Sequence, residues 1–384
     1  MAGGSKRDYQ AALGLAWVSG ANGHSMLRLL REESPHEVWT ASVARLEERG
    51  LNREAAKRFD ENRRSFSAAG AQDALRASGL RFVPLSDPYF PAELRQLALP
   101  PAGLFMRGTP AALAALLTTP RVTIVGTRRA TAYGTRAAET FAMAFAAAGV
   151  AVVSGMAFGV DTRAHKAALA MGGLTVAVLG CGADVVYPGS NRWLYDKIAE
   201  EGIVFSELPP GTRPAPWTFP HRNRLLAALG DAVLVAEGSR TSGALQTANA
   251  ALELGRPVFA VPGSIYAEGY RGCNHLLHEG ANPAIEAEGA VEDFLFQTRI
   301  ERGPRQMRSD RRGASAGRSP GEPDSPTETR NEIVRSALVS GSCSVDAVVV
   351  RTGLQAREVA AALAELELER SVTKVGPGMF ARAP

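Results

Sequence analysis

Between residues 120 and 265, short apolar runs alternate with longer amphipathic stretches. The runs at 122–125, 150–153, 174–179, 203–205, 232–235 and 258–261 are rich in β-branched residues and apolar at successive positions. A strand apolar on both faces belongs in a parallel sheet covered on both sides. The intervening stretches, 133–148, 160–171, 191–200, 219–229, 243–254 and 274–279, carry helical spacing. This alternation predicts an α/β domain over 79–298: a doubly wound, Rossmann-like parallel sheet core.

The pattern changes on either side. Before residue 79, Leu13, Leu15, Trp17, Met26, Leu29, Leu30, Val38, Trp39, Val43 and Leu46 keep helical spacing, with breaks at 20–23 and 50–52. A small helical domain over 1–78, similar to SAM or helix–hairpin–helix modules, is expected. Its Gly20-Ala21-Asn22-Gly23 turn either presents backbone N–H groups to a phosphate or simply joins two packed helices; packing is the simpler reading. Residues 83–107 are Pro-rich and read as a connector. Residues 299–327 hold seven arginines and four prolines with almost no apolar side chains, which predicts a flexible linker.

The last segment, 328–384, reads as a winged helix. Helices at 328–339, 345–352 and 355–369 precede a hairpin of 372–375 with 379–380, turning at Gly376-Pro377-Gly378. Its third helix sets Glu358, Glu365, Glu367 and Glu369 against Arg357 and Arg370. That face suits a protein-interaction or accessory role better than phosphate contact.

Composition narrows the class only slightly. The 384 residues are 45% hydrophobic and 21% charged, ordinary for globular chains, with a formal charge of +4. Lysine is confined to positions 6, 57, 166, 197 and 374, so the basic character is arginine, and arginine content alone is weak support for a nucleic-acid partner. Cys181, Cys273 and Cys343 are scattered, without a CxxC pair or Cys/His cluster. No metal is expected, and reduced thiols fit a cytoplasmic location. The segment after Lys6-Arg7 is too short and interrupted for a secretory leader, and no 18-residue apolar run spans a membrane.

The candidate chemistry lies at the strand ends. Glycine-bearing loops follow nearly every predicted strand: Gly126-Thr127-Arg128-Arg129, then 154–159 (Ser154, Gly155, Phe158), 180–182, 206–211, 237–243 (Arg240, Ser242, Gly243) and 262–264. A parallel sheet gathers these loops on one edge, where glycine lets backbone N–H groups approach a ligand. Arg128, Arg129, Lys166, Arg222, Arg224 and Arg240 make that edge cationic, with Asn223 between two of them. So many cations suit successive phosphates better than one small anion. Phe158 and Tyr187 are candidates for stacking on exposed bases or for core packing.

Other chemistries fit poorly. No G-x-G-x-x-G joins a strand to a helix, no G-x-x-x-x-G-K-[ST] occurs, and there is no G-x-S-x-G. Dinucleotides, P-loop ATP use and the simplest hydrolase are disfavoured, and no cofactor is expected. Asp161 and His165, four apart on one helix, are an acid–base pair or a structural contact, the latter preferred. Glu207 and Glu237, at strand ends, are further carboxylates without an obvious catalytic partner.

Seven segments in order carry a family resemblance: VGTRRATAYG (125–134), SGMAFGVDTRAHKAAL (154–169), LGCGADVVYPGSN (179–191), SELPPG (206–211), FPHRNRLLAAL (219–229), SGALQTANAALELGRPVFAVPG (242–263) and GCNHLLHEGA (272–281). Together they resemble the DNA-processing protein A (DprA/Smf) family, most strongly over 80–290. The resemblance implies a single-stranded DNA-binding recombination mediator rather than an enzyme. It would be a homodimer that protects incoming DNA and helps load the RecA recombinase in natural transformation. The family's phosphate-contacting arginine falls on Arg128, its lysine on Lys166, and its R-N-R segment on Arg222, Asn223 and Arg224. Phe158 departs from the pattern, standing where a basic residue is common. The dimer and RecA surface is implied near 274–280.

Two alternatives remain. The fold also resembles the LOG-like nucleoside-monophosphate phosphoribohydrolases, but their P-G-G-x-G-T and catalytic Glu are replaced by GSRTSGALQTA, where Gln246 is no general base. A duplex-DNA regulator acting through the winged helix conflicts with that domain's acidic third helix.

Overall fold

The computed structural model describes residues 6–18, 24–301, 326–338, 343–369, 371–376 and 379–382. The chain divides into two units, Met1–Gln306 and Met307–Pro384. Among the described residues, no helix is long and apolar enough to cross a membrane. The Gly20–Gly23 turn, most of the expected linker (302–325) and residues 377–378 of the expected hairpin turn lie outside the described residues.

The first unit opens with helices Lys6–Val18 (α1), His24–Leu27 (α2), Pro35–Thr40 (α3), Val43–Glu48 (α4), Arg53–Ser65 (α5) and Ala68–Ser78 (α6). Side chains of Ser34, Ser42, Asn52 and Ser67 cap α3 to α6, each accepting from a first-turn N–H. This helical part shares its core with the sheet that follows. Tyr9 packs edge-on against Phe82, with ring centroids 5.8 Å apart, and Trp17 against Phe105 at 6.0 Å.

Those phenylalanines belong to two strands that border and enter the 83–107 stretch expected as a connector. Arg81–Pro84 (β1) and Gly103–Gly108 (β2) pair antiparallel, and helices Ala92–Arg95 (α7) and Pro110–Thr118 (α8) follow each in turn. The prolines at 84, 91, 100 and 101 sit at strand ends and in the loop, where a missing N–H costs no ladder bond.

The doubly wound core then runs β3 (Arg121–Gly126), α9 (Ala132–Ala147), β4 (Ala151–Ser154), α10 (Val160–Ala170), β5 (Thr175–Val178), α11 (Arg192–Glu201), β6 (Ile203–Ser206), α12 (Thr218–Leu229), β7 (Ala232–Glu237), α13 (Gly243–Glu253), β8 (Val258–Ala260), α14 (Arg271–His278), β9 (Asn282–Pro283) and α15 (Ala287–Glu301). The sheet order is β1-β2-β6-β5-β4-β3-β7-β8-β9. β3 to β9 are parallel, and β2 joins β6 antiparallel at one edge.

Alternate strand residues serve opposite layers, as the two-unit period of a strand requires. Val122, Ile124, Val152 and Leu234 pack with Phe145 of α9, Ala164 of α10 and Phe294 of α15. Val125, Val153, Val176 and Val235 share the other core with Leu225 and Leu229 of α12 and Ala248 of α13.

The second unit is a winged helix, as its sequence predicts: helices Pro326–Ala337 (α16), Val345–Thr352 (α17) and Ala356–Leu368 (α18), with strands Cys343–Ser344 (β10), Val372–Gly376 (β11) and Met379–Arg382 (β12) in the order β10-β12-β11. Val334, Leu338, Val348, Val359, Leu363 and Leu366 form its core. Two of the acidic residues of α18 and its end are engaged within the unit: Asn331 donates to Glu365 at 2.8 Å, and Arg335 pairs with Glu369 at 3.2 Å.

Candidate functional site

The chain leaves β3 in one direction through β4, β5 and β6, then returns to β3's other side for β7, β8 and β9. That reversal between β3 and β7 is a topological switch point, where open α/β sheets form a crevice outside the carboxyl ends of the strands. A cavity of about 710 Å³ lies there. Its walls are the loop Gly126–Arg129 after β3, the start of α12 with Phe219, Arg222 and Asn223, and the start of α13 with Ser242 and Gly243.

One wall is both aromatic and cationic. The Arg128 guanidinium lies over the Phe219 ring, its Cζ 4.6 Å from the centroid. Tyr187 continues the aromatic surface, tilted 43° to Phe219 at 5.7 Å. Gly180 makes this possible, since a Cβ there would come within 2.9 Å of the Phe219 ring.

Arg222 forms the cavity floor and is 5% exposed. Its Nη1 donates to the Gly155 carbonyl at 3.0 Å and to that of Val178, while Nε has no partner. Gly155 lies against the guanidinium, where a Cβ would stand 2.6 Å from Nη1. Burial lowers the Arg222 pKa to about 10, against the pull of the nearby Asp161, so the group stays charged at neutral pH. Asp161 also lines the cavity. Its Oδ2 accepts from the Ala157 N–H at 3.2 Å. Burial raises its pKa, opposed chiefly by Arg222.

The far wall is the N-terminus of α13. Asn223 holds it by donating to the Gly243 carbonyl at 3.2 Å. Ser242 occupies the capping position with extended backbone, yet its buried Oγ makes no hydrogen bond. An open helix N-terminus on a cavity that two arginines also line suits an anion.

The cavity therefore brings together Gly126, Thr127, Arg128, Arg129, Arg222, Asn223, Ser242 and Gly243. The other sequence candidates lie elsewhere. Ser154 is fully buried, its Oγ donating to the Ile124 carbonyl at 2.6 Å, and Gly155 supports Arg222 from below. Phe158 (49% exposed) and Lys166 are on the surface and do not line the cavity.

Arg224 points away from Arg222. It grips Glu207 at 2.6 Å and touches His221 at 3.2 Å. Burial alone would raise the Glu207 pKa, but Arg224 and His221 outweigh it and hold the carboxyl at about 2. Arg240 lines a separate hollow of about 410 Å³, 3.4 Å from His275. Ser242 and Gln246 form the shared wall between the two hollows.

The carboxylates have structural partners. Asp161 and His165 make no pair: His165 Nδ1 meets Thr175 Oγ1 at 2.7 Å. Burial and the Arg222 charge lower its pKa to about 3. The Glu237 carboxylate is held by Thr131 and Tyr270. Phe219 is a wall residue absent from the expected site residues. The available signal was its position three residues before Arg222, which puts both on one helix face.

Fold and site define a doubly wound α/β protein with a cationic, aromatic-walled cleft at its switch point. Residues 81–295 match the family model of DNA recombination-mediator protein A, and 318–378 match the DprA winged helix domain. Protein Smf of Synechocystis is 32% identical over 96% of this chain and 98% of its own. DNA processing protein DprA of Streptococcus pneumoniae is 40% identical over 55% of this chain and 73% of its own. The crystal structure of DprA from S. pneumoniae superposes with a TM-score of 0.66 at 31% identity, covering 75% of this chain and 98% of that one. A DprA structure from Helicobacter pylori, described for its single-stranded DNA binding mode, gives 0.51 at 31% identity over 57% of this chain and 98% of its own. The chain belongs to the DprA/Smf family of DNA processing proteins.

Proposed function

We propose that the cleft holds single-stranded DNA and performs no covalent chemistry on it. The observation that carries this reading is Arg128 stacked on Phe219 above the buried charge of Arg222. Phosphates meet the guanidinium groups and the start of α13, while an unpaired base meets Phe219 and Tyr187. The H. pylori relative's binding of single strands supports the same ligand here. Gln246, not a glutamate, lines the cavity, and Glu207 is tied up in its ion pair, which supports binding rather than hydrolysis.

The family supports the finer reading: a homodimer that protects incoming DNA and passes it to RecA during natural transformation. The winged helix serves as an accessory or protein-contact domain in this scheme.

The test is a titration of single-stranded and duplex oligonucleotides at several salt concentrations, for the wild type and Arg128→Ala. Single strands should bind more tightly, and the substitution should weaken them. Tighter duplex binding that is indifferent to Arg128 would overturn the reading.

A further inference from the structure

In a doubly wound sheet, the first helix after the switch-point strand offers its N-terminus to a ligand phosphate. Here that helix is α9, 16 residues long and capped by Thr131. Its N-terminal end is already occupied from inside. Glu237, the last residue of β7, is 2% exposed. Its Oε2 accepts from the Thr131 N–H and Oγ, each at 2.9 Å, and from the Tyr270 hydroxyl at 3.2 Å.

Two glycines make room for this carboxylate. A Cβ on Gly134 would fall 1.9 Å from Oε2, and one on Gly269 2.7 Å from Oε1. Among the described residues no lysine or arginine pairs with Glu237. Its carboxylate meets neutral donors at the positive end of α9.

The same residue holds the loop that carries the arginines. The Thr127 N–H donates to the Glu237 carbonyl at 2.8 Å, and Thr131 binds its side chain. Arg128 and Arg129 lie between these two anchors, so one residue fixes both ends of their loop.

We propose that Glu237 is an internal anion with two consequences. It fills the phosphate seat of the first helix, so the site refuses the terminal phosphate of a mononucleotide there. It also positions Arg128 and Arg129, which directs a DNA strand past α9 to the start of α13. This rests on the reading of the cleft as a single-strand site. Glu237 acts through the loop and is a positioning residue.

The test uses the full chain with Glu237→Gln and Glu237→Ala. Both are compared with wild type for thermal midpoint, single-strand affinity, and the rise in midpoint caused by inorganic phosphate. Single-strand affinity should fall about tenfold in the Gln variant, the order expected for losing one charge-assisted anchor. The Ala variant, with the seat vacated, should gain a phosphate-dependent stabilisation larger than wild type shows. A purely structural role would lower the midpoint without creating that gain.

Wild-type affinity in the Gln variant, with no added phosphate response in the Ala variant, overturns the inference. Failure of the wild type itself to bind single strands would instead sink the reading of the cleft, and the phosphate response would still report on Glu237. Should both variants fail to fold, Thr131→Val carries the test by removing one donor to the carboxylate. Several-fold weaker binding supports the inference, and unchanged binding overturns it.

Discussion

Arg128 holds its guanidinium 4.6 Å above the centre of the Phe219 ring, yet Arg128 remains exposed at the mouth of the cleft. Stacking fixes the plane of the cation and leaves its edge donors for a phosphate. Arg128→Ala should therefore weaken single-strand binding and reduce the slope of log affinity against log salt by about one unit. Arg128→Lys should keep most of the slope, because the charge survives, but still lose affinity, because the planar stack does not. Anisotropy titrations across a salt series separate these outcomes. Equal behaviour of Lys and wild type would show that the stack is incidental.

Phe219→Ala makes the complementary prediction. It removes ring contact without removing charge, so affinity should drop by about 1–3 kcal/mol per stacked base while the salt slope stays put. Phe219→Tyr should bind as wild type does. If the slope changes with the affinity, the ring acts only by holding Arg128.

Arg222 and Arg224 are two residues apart, which turns a helix through about 200° and sends them to opposite sides. One floors the cleft; the other neutralises Glu207, whose side chain is 12% exposed. Arg224→Ala strands a buried carboxylate, a change that costs about 3–5 kcal/mol, with the low end expected here because His221 still contacts Glu207 at 3.1 Å. The thermal midpoint should fall while the salt slope of DNA binding is unchanged. A slope reduced by a full unit would instead place Arg224 on the DNA.

The same geometry explains what was legible in the sequence. The strands β3 to β8 announced themselves because apolar residues fill both faces, and that placed the loops on one edge. Helix phase was also available, and it distinguishes Arg222 from Arg224 and joins Phe219 to Arg222. Lys166 sits six residues into α10, roughly 9 Å along its axis from the start, so the helix carries it away from the edge. Ser154 ends a strand, and a strand's last side chain points into a layer as readily as to the ligand. β1 and β2 were masked by the surrounding prolines. The Glu237 network was beyond reach, since it joins β3, β7 and β8 loops whose contact depends on tertiary packing.

His165 gives a prediction about acid stability. It is fully buried, with Nδ1 2.7 Å from Thr175 Oγ1. The Thr175 hydroxyl already donates to the Val152 carbonyl at 2.8 Å, so it accepts from His165. This assigns a neutral ring with its proton on Nδ1. The unfolded chain protonates this residue near its ordinary 6.5, whereas the folded chain resists until about 3. Its contribution is therefore complete above 6.5 and is lost progressively as pH falls from 6.5 toward 3. At pH 5 the loss should be about 2 kcal/mol. Glu207, held down at about 2 from an ordinary value of 4.5, adds a separate loss only below that ordinary value. All four tryptophans, Trp17, Trp39, Trp193 and Trp217, lie in the sheet-bearing unit, so tryptophan fluorescence during urea unfolding follows that unit alone. His165→Gln should lose the pH 7 to pH 5 drop that wild type shows, whatever its absolute stability. An identical drop in both proteins would mean that His165 takes up its proton in the folded state.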